Sequence, residues 1–106
     1  MDIKRIKFER TGGFTGIRVA ADFELDDLPE EQAEELRELL DDVDFDELPE
    51  QLMGKSQMAD AFTYSITVEH EKGKHTVHTS DTAAPEKMQP LLELLYRIAR
   101  QRAKKK

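Results

Sequence analysis

Two strand pairs, each followed by an amphipathic helix, predict an α+β two-layer sandwich: a four-stranded, mainly antiparallel sheet with two helices on one face, in the order ββαββα. Three observations carry that prediction. Apolar side chains recur at every second position through residues 2–10 and again through 17–25. The same alternation returns over residues 62–79, and a leucine-rich stripe at helical spacing follows each pair of runs.

In the first run Ile6 and Phe8 alternate with Arg5, Lys7 and Glu9, the signature of a strand with one apolar face. The second run places Ile17, Val19, Ala21, Phe23 and Leu25 on one side, so the two runs read as a hairpin. Their connection, R-T-G-G-F-T-G-I, is longer than a tight two-residue turn, and its Gly12, Gly13 and Gly16 supply left-handed conformations or a bulge. Phe14 is the one aromatic side chain in it, and two readings stand open: a ring folded back under a helix end, or a ring offered to a partner.

Asp26 and Asp27 precede Leu28-Pro29-Glu30-Glu31, where proline and early acids mark a helix start. Ala33, Leu36, Leu39, Leu40 and Val43 then form one stripe opposite a wall of carboxylates. Phe45 and Leu48 tuck back in an ending turn, and residues 51–60 read as the least structured stretch. Phe62, Tyr64, Ile66 and Val68 make the clearest strand, with Lys72-Gly73 as the turn into the next run, residues 74–79. The last helix opens near Ala83-Ala84-Pro85-Glu86 and buries Met88, Leu91, Leu92, Leu95, Ile98 and Ala99. Pro90 lacks the N–H that an interior helical position requires, so it either kinks that helix or marks its start after one loose turn. An offset of 56 positions overlays the halves, with Ile6 and Phe8 on Phe62 and Tyr64 and Leu36 on Leu92, a sign of shared architecture.

A chain of 106 residues is expected to form a single domain spanning residues 1–106, with the basic tail 103–106 disordered. The absence of cysteine removes thiol nucleophiles and disulfides and fits a reducing compartment. With no apolar run of membrane-spanning length, the expectation is a cytoplasmic protein with no membrane partner. The net charge of −7 is lopsided: residues 22–50 carry fifteen acids against Arg37 alone, which leaves the remainder basic. Arg97, Arg100, Arg102 and the terminal lysines are not interleaved with exposed aromatics, so no nucleic-acid partner is expected.

The search for chemistry returns little. His70 and His75 fall on one face if Lys72-Gly73 is the turn, His78 points to the other, and two imidazoles without a third ligand do not make a metal site. H-E-K-G-K-H has one residue too many between its histidines, and a glycine, for a metalloprotease helix. The carboxylates lie on an exposed helix face, no phosphate-binding or nucleophile-elbow motif occurs, and no catalytic residue, metal or cofactor is expected.

The R-T-G-G-F-T-G-I connection, together with D-x-L-P-E-E-x-A-E-E-L-R-x-L over 26–39, D-F-D-E-L-P over 44–49, F-T-Y-S-I-T-V over 62–68, H-T-V-H-T-S-D over 75–81 and A-A-P-x-x-M-Q-P-L-L-E-L-L over 83–95, resembles the emfourin family. Those are small prokaryotic proteins named for an inhibitor of protealysin, a thermolysin-like zinc metalloprotease. The resemblance implies a non-catalytic protein that plugs the cleft of a thermolysin-like metalloprotease without covalent chemistry. On that implication the partner-binding residues are Arg10, Thr11, Gly12, Gly13, Phe14, Thr15 and Gly16, with Phe14 as apolar anchor. The tip is flanked by residues 54–58 or by the N-terminus, in a contact of about 800 Å² per partner. The protease zinc could be met by a backbone carbonyl, a carboxylate or the N-terminal amine. The protein is expected to act as a monomer, with an edge-paired dimer as the other arrangement open to it. The competing reading is a protein-interaction module whose acidic helix meets a basic partner, with no protease involved.

Overall fold

The computed structural model describes residues 3–12, 18–52, 62–80 and 83–103. Strands β1 (Ile3–Gly12) and β2 (Val19–Glu24) are followed by helix α1 (Glu30–Asp42), then by a short β3 (Gln51–Leu52), β4 (Phe62–His70), β5 (Gly73–Ser80) and helix α2 (Gln89–Ala103). The predicted α+β class holds, but the sheet is five-stranded and mixed, in the spatial order β2-β1-β4-β5-β3. Neither the four-strand count nor the ββαββα order survives. A two-residue strand inside the stretch read as unstructured runs parallel to β5, pairing Gln51 with His78 and Leu52 with Thr79. So short a strand leaves no alternation to detect.

The other pairings are antiparallel and put β4 at the centre, between β1 and β5. Period two then decides which side chains face the helices. Ile6, Phe8, Phe23, Tyr64, Ile66, Val68 and Val77 are buried, whereas Arg5, Lys7, Asp22 and Thr67 turn to the uncovered face. A register shift between Ile3 and Arg5 inserts one extra residue, so that Ile3 and Ile6, three apart, both point inward.

α1 begins after Pro29, whose carbonyl accepts the Ala33 N–H at 2.9 Å, and Glu30 and Glu31 sit where the helix dipole favours anions. Its stripe buries Ala33, Leu36 and Leu40, with Leu39 only partly covered. Asp44 takes a left-handed conformation (φ 50°) that turns the chain into a 3₁₀ turn, Phe45–Glu47, and drives Phe45 fully into the core. Before α2, a 3₁₀ turn over Glu86–Met88 is the predicted loose turn, and Pro90 falls in the first turn of the helix, where no N–H is needed. The predicted stripe of Met88, Leu91, Leu92, Leu95, Ile98 and Ala99 is buried, and Leu94 joins it. Both helices contribute to one continuous core on one side of the sheet.

The β4–β5 turn is Glu71-Lys72 rather than Lys72-Gly73. Gly73 belongs to β5 opposite His70, with φ 142°, a value that side chains rarely adopt. His75 therefore lies opposite Val68 instead of His70.

Candidate functional site

Strand direction places several chain ends together. Gly12 at the end of β1 lies opposite Phe62 at the start of β4, Thr63 lies opposite Ser80 at the end of β5, and Leu52 lies beside Thr79. The connections 13–17, 53–61 and 81–82 therefore all leave from one end of the sheet. Ile3 and the Glu71-Lys72 turn lie at the opposite end, and the nine steps of β1 put about 30 Å between Ile3 and Gly12.

Of the seven predicted partner-binding residues, Arg10, Thr11 and Gly12 are the last three of β1. Gly13, Phe14, Thr15 and Gly16 lie outside the described residues, as do Ile17, the flanking residues 54–58 and Lys104 to Lys106 of the tail; Ala103 ends α2. Gly12 has φ 102°, a conformation costly for a side-chain-bearing residue, which accounts for glycine where the strand gives way to the connection.

Arg10 points inward. It shares the covered face with Ile6 and Phe8, and its guanidinium lies 3.6 Å from the centroid of the Phe62 ring and 4.3 Å from that of Tyr96. β1, β4 and α2 thus meet in one cation–π stack at the base of the first two connections. The Arg10 Nε is buried and has no hydrogen-bond partner. A depression of about 260 Å³ opens beside the stack, lined by Arg10, Phe62, Tyr64, Gln89, Leu92, Glu93 and Tyr96. Arg100 donates from Nη1 to the Tyr96 hydroxyl at 3.2 Å. Desolvation pushes the Tyr96 phenol up, but the hydrogen bond from Arg10 and the charges of Arg100 and Arg10 outweigh it and hold the group below its ordinary range.

A second set of links ties residues 48–52 to β5. Thr79, fully buried, donates from Oγ1 to the Leu52 carbonyl at 2.9 Å, the His78 N–H donates to Glu50 at 2.7 Å, and His75 Nε2 bonds the Leu48 carbonyl at 2.6 Å. His75 also meets the Phe45 ring edge-on at 5.6 Å. His70 lies on the same face, 3.5 Å from Asp46, while His78 faces the other side of the sheet. Two histidines are thus engaged with the segment that follows α1, and among the described residues no group of three or more His, Asp or Glu side chains is arranged to hold a metal.

The uncovered face carries ion pairs, Arg5 with Asp22 at 2.5 Å, Arg18 with Glu9 at 2.9 Å and Lys7 with Glu69 at 3.8 Å, around a depression of about 490 Å³. The Arg5 hydrogen bond, opposed by desolvation, holds the Asp22 carboxyl below the usual range. Ordinary strand-surface pairing accounts for these charges.

Sequence reading missed Phe62 and Tyr96 as the partners of Arg10, and Thr79 as a brace for Leu52. Tyr96 had a usable signal, since it follows Leu92 and precedes Arg100 at intervals of four on α2. No described helix is long and apolar enough to cross a membrane.

Compared with known proteins, residues 8–96 match the family model described as Emfourin. No curated protein and no solved structure matches the chain.

Proposed function

The chain belongs to the Emfourin family, and from that premise we propose that it inhibits a thermolysin-like zinc metalloprotease by non-covalent occlusion of the active-site cleft. Membership supports the role of metalloprotease inhibitor; the target class, the mode of occlusion and the residues that enter the cleft are our reading. One structural observation supports it most: the strand ends from which connections 13–17, 53–61 and 81–82 begin and to which they return lie at one end of the sheet. In this reading Arg10, Thr11, Gly12, Gly13, Phe14, Thr15 and Gly16 form the principal contact, with Phe14 as the apolar anchor and residues 54–58 beside it. The chain before Ile3 departs about 30 Å away, which favours a carbonyl or carboxylate of these connections over an N-terminal amine as any contact to the protease zinc.

An inhibitor of this kind must be ordered before it docks, because a slack segment loses affinity to ordering and invites cleavage. The stack on Arg10 and the links from β5 to residues 48–52 fix the chain where two of these connections begin or end. A single domain acting as a monomer completes the proposal.

The test is titration of the purified protein against a thermolysin-like protease of the same organism, with Phe14→Ala and Gly13→Val in parallel. Inhibition by the parent at micromolar concentration, weakened in both variants, is the expected result. Undiminished peptidase activity removes the inhibitor reading, and full potency of both variants removes the role of the 10–16 segment.

A further inference from the structure

The Arg10 stack is more than a brace. Arg10 is half-buried, its guanidinium lies over the Phe62 and Tyr96 rings and gives a hydrogen bond to the Tyr96 hydroxyl, and its Nε has no acceptor, so part of its donor edge is still unmet. Arg5, Arg18 and Lys7, on the uncovered face, each have a carboxylate. Arg10 and Arg100 form no ion pair among the described residues, although Glu93 borders the same depression. Cation–π contact compensates the charge only in part, and a guanidinium in a low-dielectric setting is satisfied best by a carboxylate. Arg10 and Arg100 both donate to the Tyr96 oxygen, and a phenol that accepts in this way still has its own O–H to give. Arg10 and Arg100 bring two positive charges to this end of the depression against one carboxylate, Glu93, so the local balance favours an anion.

We propose that Arg10, Tyr96 and Arg100 form an acceptor site for the side-chain carboxylate of an aspartate or glutamate on the partner protein, seated in the depression between β1, β4 and α2. This deepens the reading above and rests on it for the identity of the partner as a protein docked at this end of the sheet. The incoming oxygens take N–H donors from the two guanidiniums and the phenolic O–H, while the rings of Phe62 and Tyr96 keep Arg10 from folding away. The cavity of about 260 Å³ accommodates a carboxymethyl or carboxyethyl group without rearrangement of the core.

A titration that needs no protease tests the site. The isotopically labelled protein is titrated with acetyl-Gly-Glu-Gly-amide and, as the uncharged match, acetyl-Gly-Gln-Gly-amide, following the Tyr96 ring and Arg10 Nε–H resonances. The expected result is saturable millimolar-range shifts with the glutamate peptide and affinity about tenfold weaker for the glutamine peptide, the factor that one charge-assisted contact supplies. Arg100→Gln and Tyr96→Phe, which spare the Arg10 stack, should each weaken the glutamate peptide several-fold with unchanged circular dichroism. Equal response to the two peptides, or unchanged glutamate affinity in both variants, overturns the proposal. Since inhibition is assayed separately, loss of the protease reading would leave a positive peptide result standing, and a negative peptide result would leave measured inhibition intact.

Discussion

Replacing Thr79 by valine tests how the short parallel strand is held. The side chain is fully buried and its hydroxyl donates to Leu52, the last described residue before the 53–61 connection. Valine keeps the shape and removes the donor. The lost hydrogen bond is worth about 1 kcal/mol. If β3 lifts away as a result, uncovering the half-buried Leu52 adds up to about 1.5 kcal/mol. The expected loss is therefore about 1–2.5 kcal/mol by urea unfolding, or at least about 4 °C in melting temperature for a domain of this size. Global stability alone does not identify the cause, so the local readout is amide exchange at His78, whose N–H donates to Glu50 across the same pair of strands. Thr79→Val should speed that exchange markedly. Thr79→Ser, which loses a methyl group but retains the hydroxyl, should leave it slow. A Thr79→Val protein that unfolds at the parent urea midpoint, with the His78 amide still protected, refutes the claim that this hydroxyl anchors β3.

Four further outcomes follow from other features. Asp44 holds a left-handed conformation, so Asp44→Gly should be close to neutral in urea unfolding, while Asp44→Val should cost about 1–2 kcal/mol. Gly12→Val, at φ 102°, should lower stability by about 1–3 kcal/mol in the same measurement and weaken inhibition beyond that loss. Asp22 has its folded-state carboxyl pKa depressed by Arg5, so its contribution is present above the unfolded value near ~3.9 and is lost as pH falls through the lower folded value. Asp22→Asn should therefore flatten the acid limb of a stability–pH profile, and only modestly, because both partners are nearly half exposed. Inhibition led by an aromatic anchor should change less than about threefold between low and high salt, whereas docking through the acidic face of α1 would weaken steeply.

The main elements are legible in the sequence because each is long enough to display its period. Ile6, Phe8, Phe23, Ile66, Val68 and Val77 alternate along strands of six or more residues, and the α1 and α2 stripes run for three turns or more. Three features did not follow from pattern. β3 is two residues long and is held by Thr79 and His78, partners 27 positions or so downstream that no local window contains. The β4–β5 register turned on whether Gly73 closes the turn or opens the strand, a choice set by pairing with His70. The bulge near Ile3 is likewise a property of two strands together. At the candidate site, the family resemblance singles out Arg10, but not its inward course. Period two assigns it to the face of Phe8, and a charged residue on that face becomes intelligible only once the Phe62 and Tyr96 rings are seen against its guanidinium.

The braces also bear on why a fold with so small a covered sheet would serve as an inhibitor. Ordering one residue costs roughly 1–2 kcal/mol, so a five-residue connection ordered only on docking would forfeit about 5–10 kcal/mol of binding. Part of that cost is removed when the ends are already fixed, and the fixing is concentrated where the connections leave. Arg10 lies between Val19 and Tyr64 in the sheet register while its side chain joins Phe62 to Tyr96, and Thr79, His78 and His75 hold residues 48–52. The far end of the sheet has a two-residue turn and a bulge. Thr79, His78 and His75, which the proposed contact does not include, would then contribute to affinity through the entropy of the connection they clamp. A side chain such as Tyr96 matters twice on this view: as one wall of the clamp on Arg10, and as a donor to whatever carboxylate the partner brings.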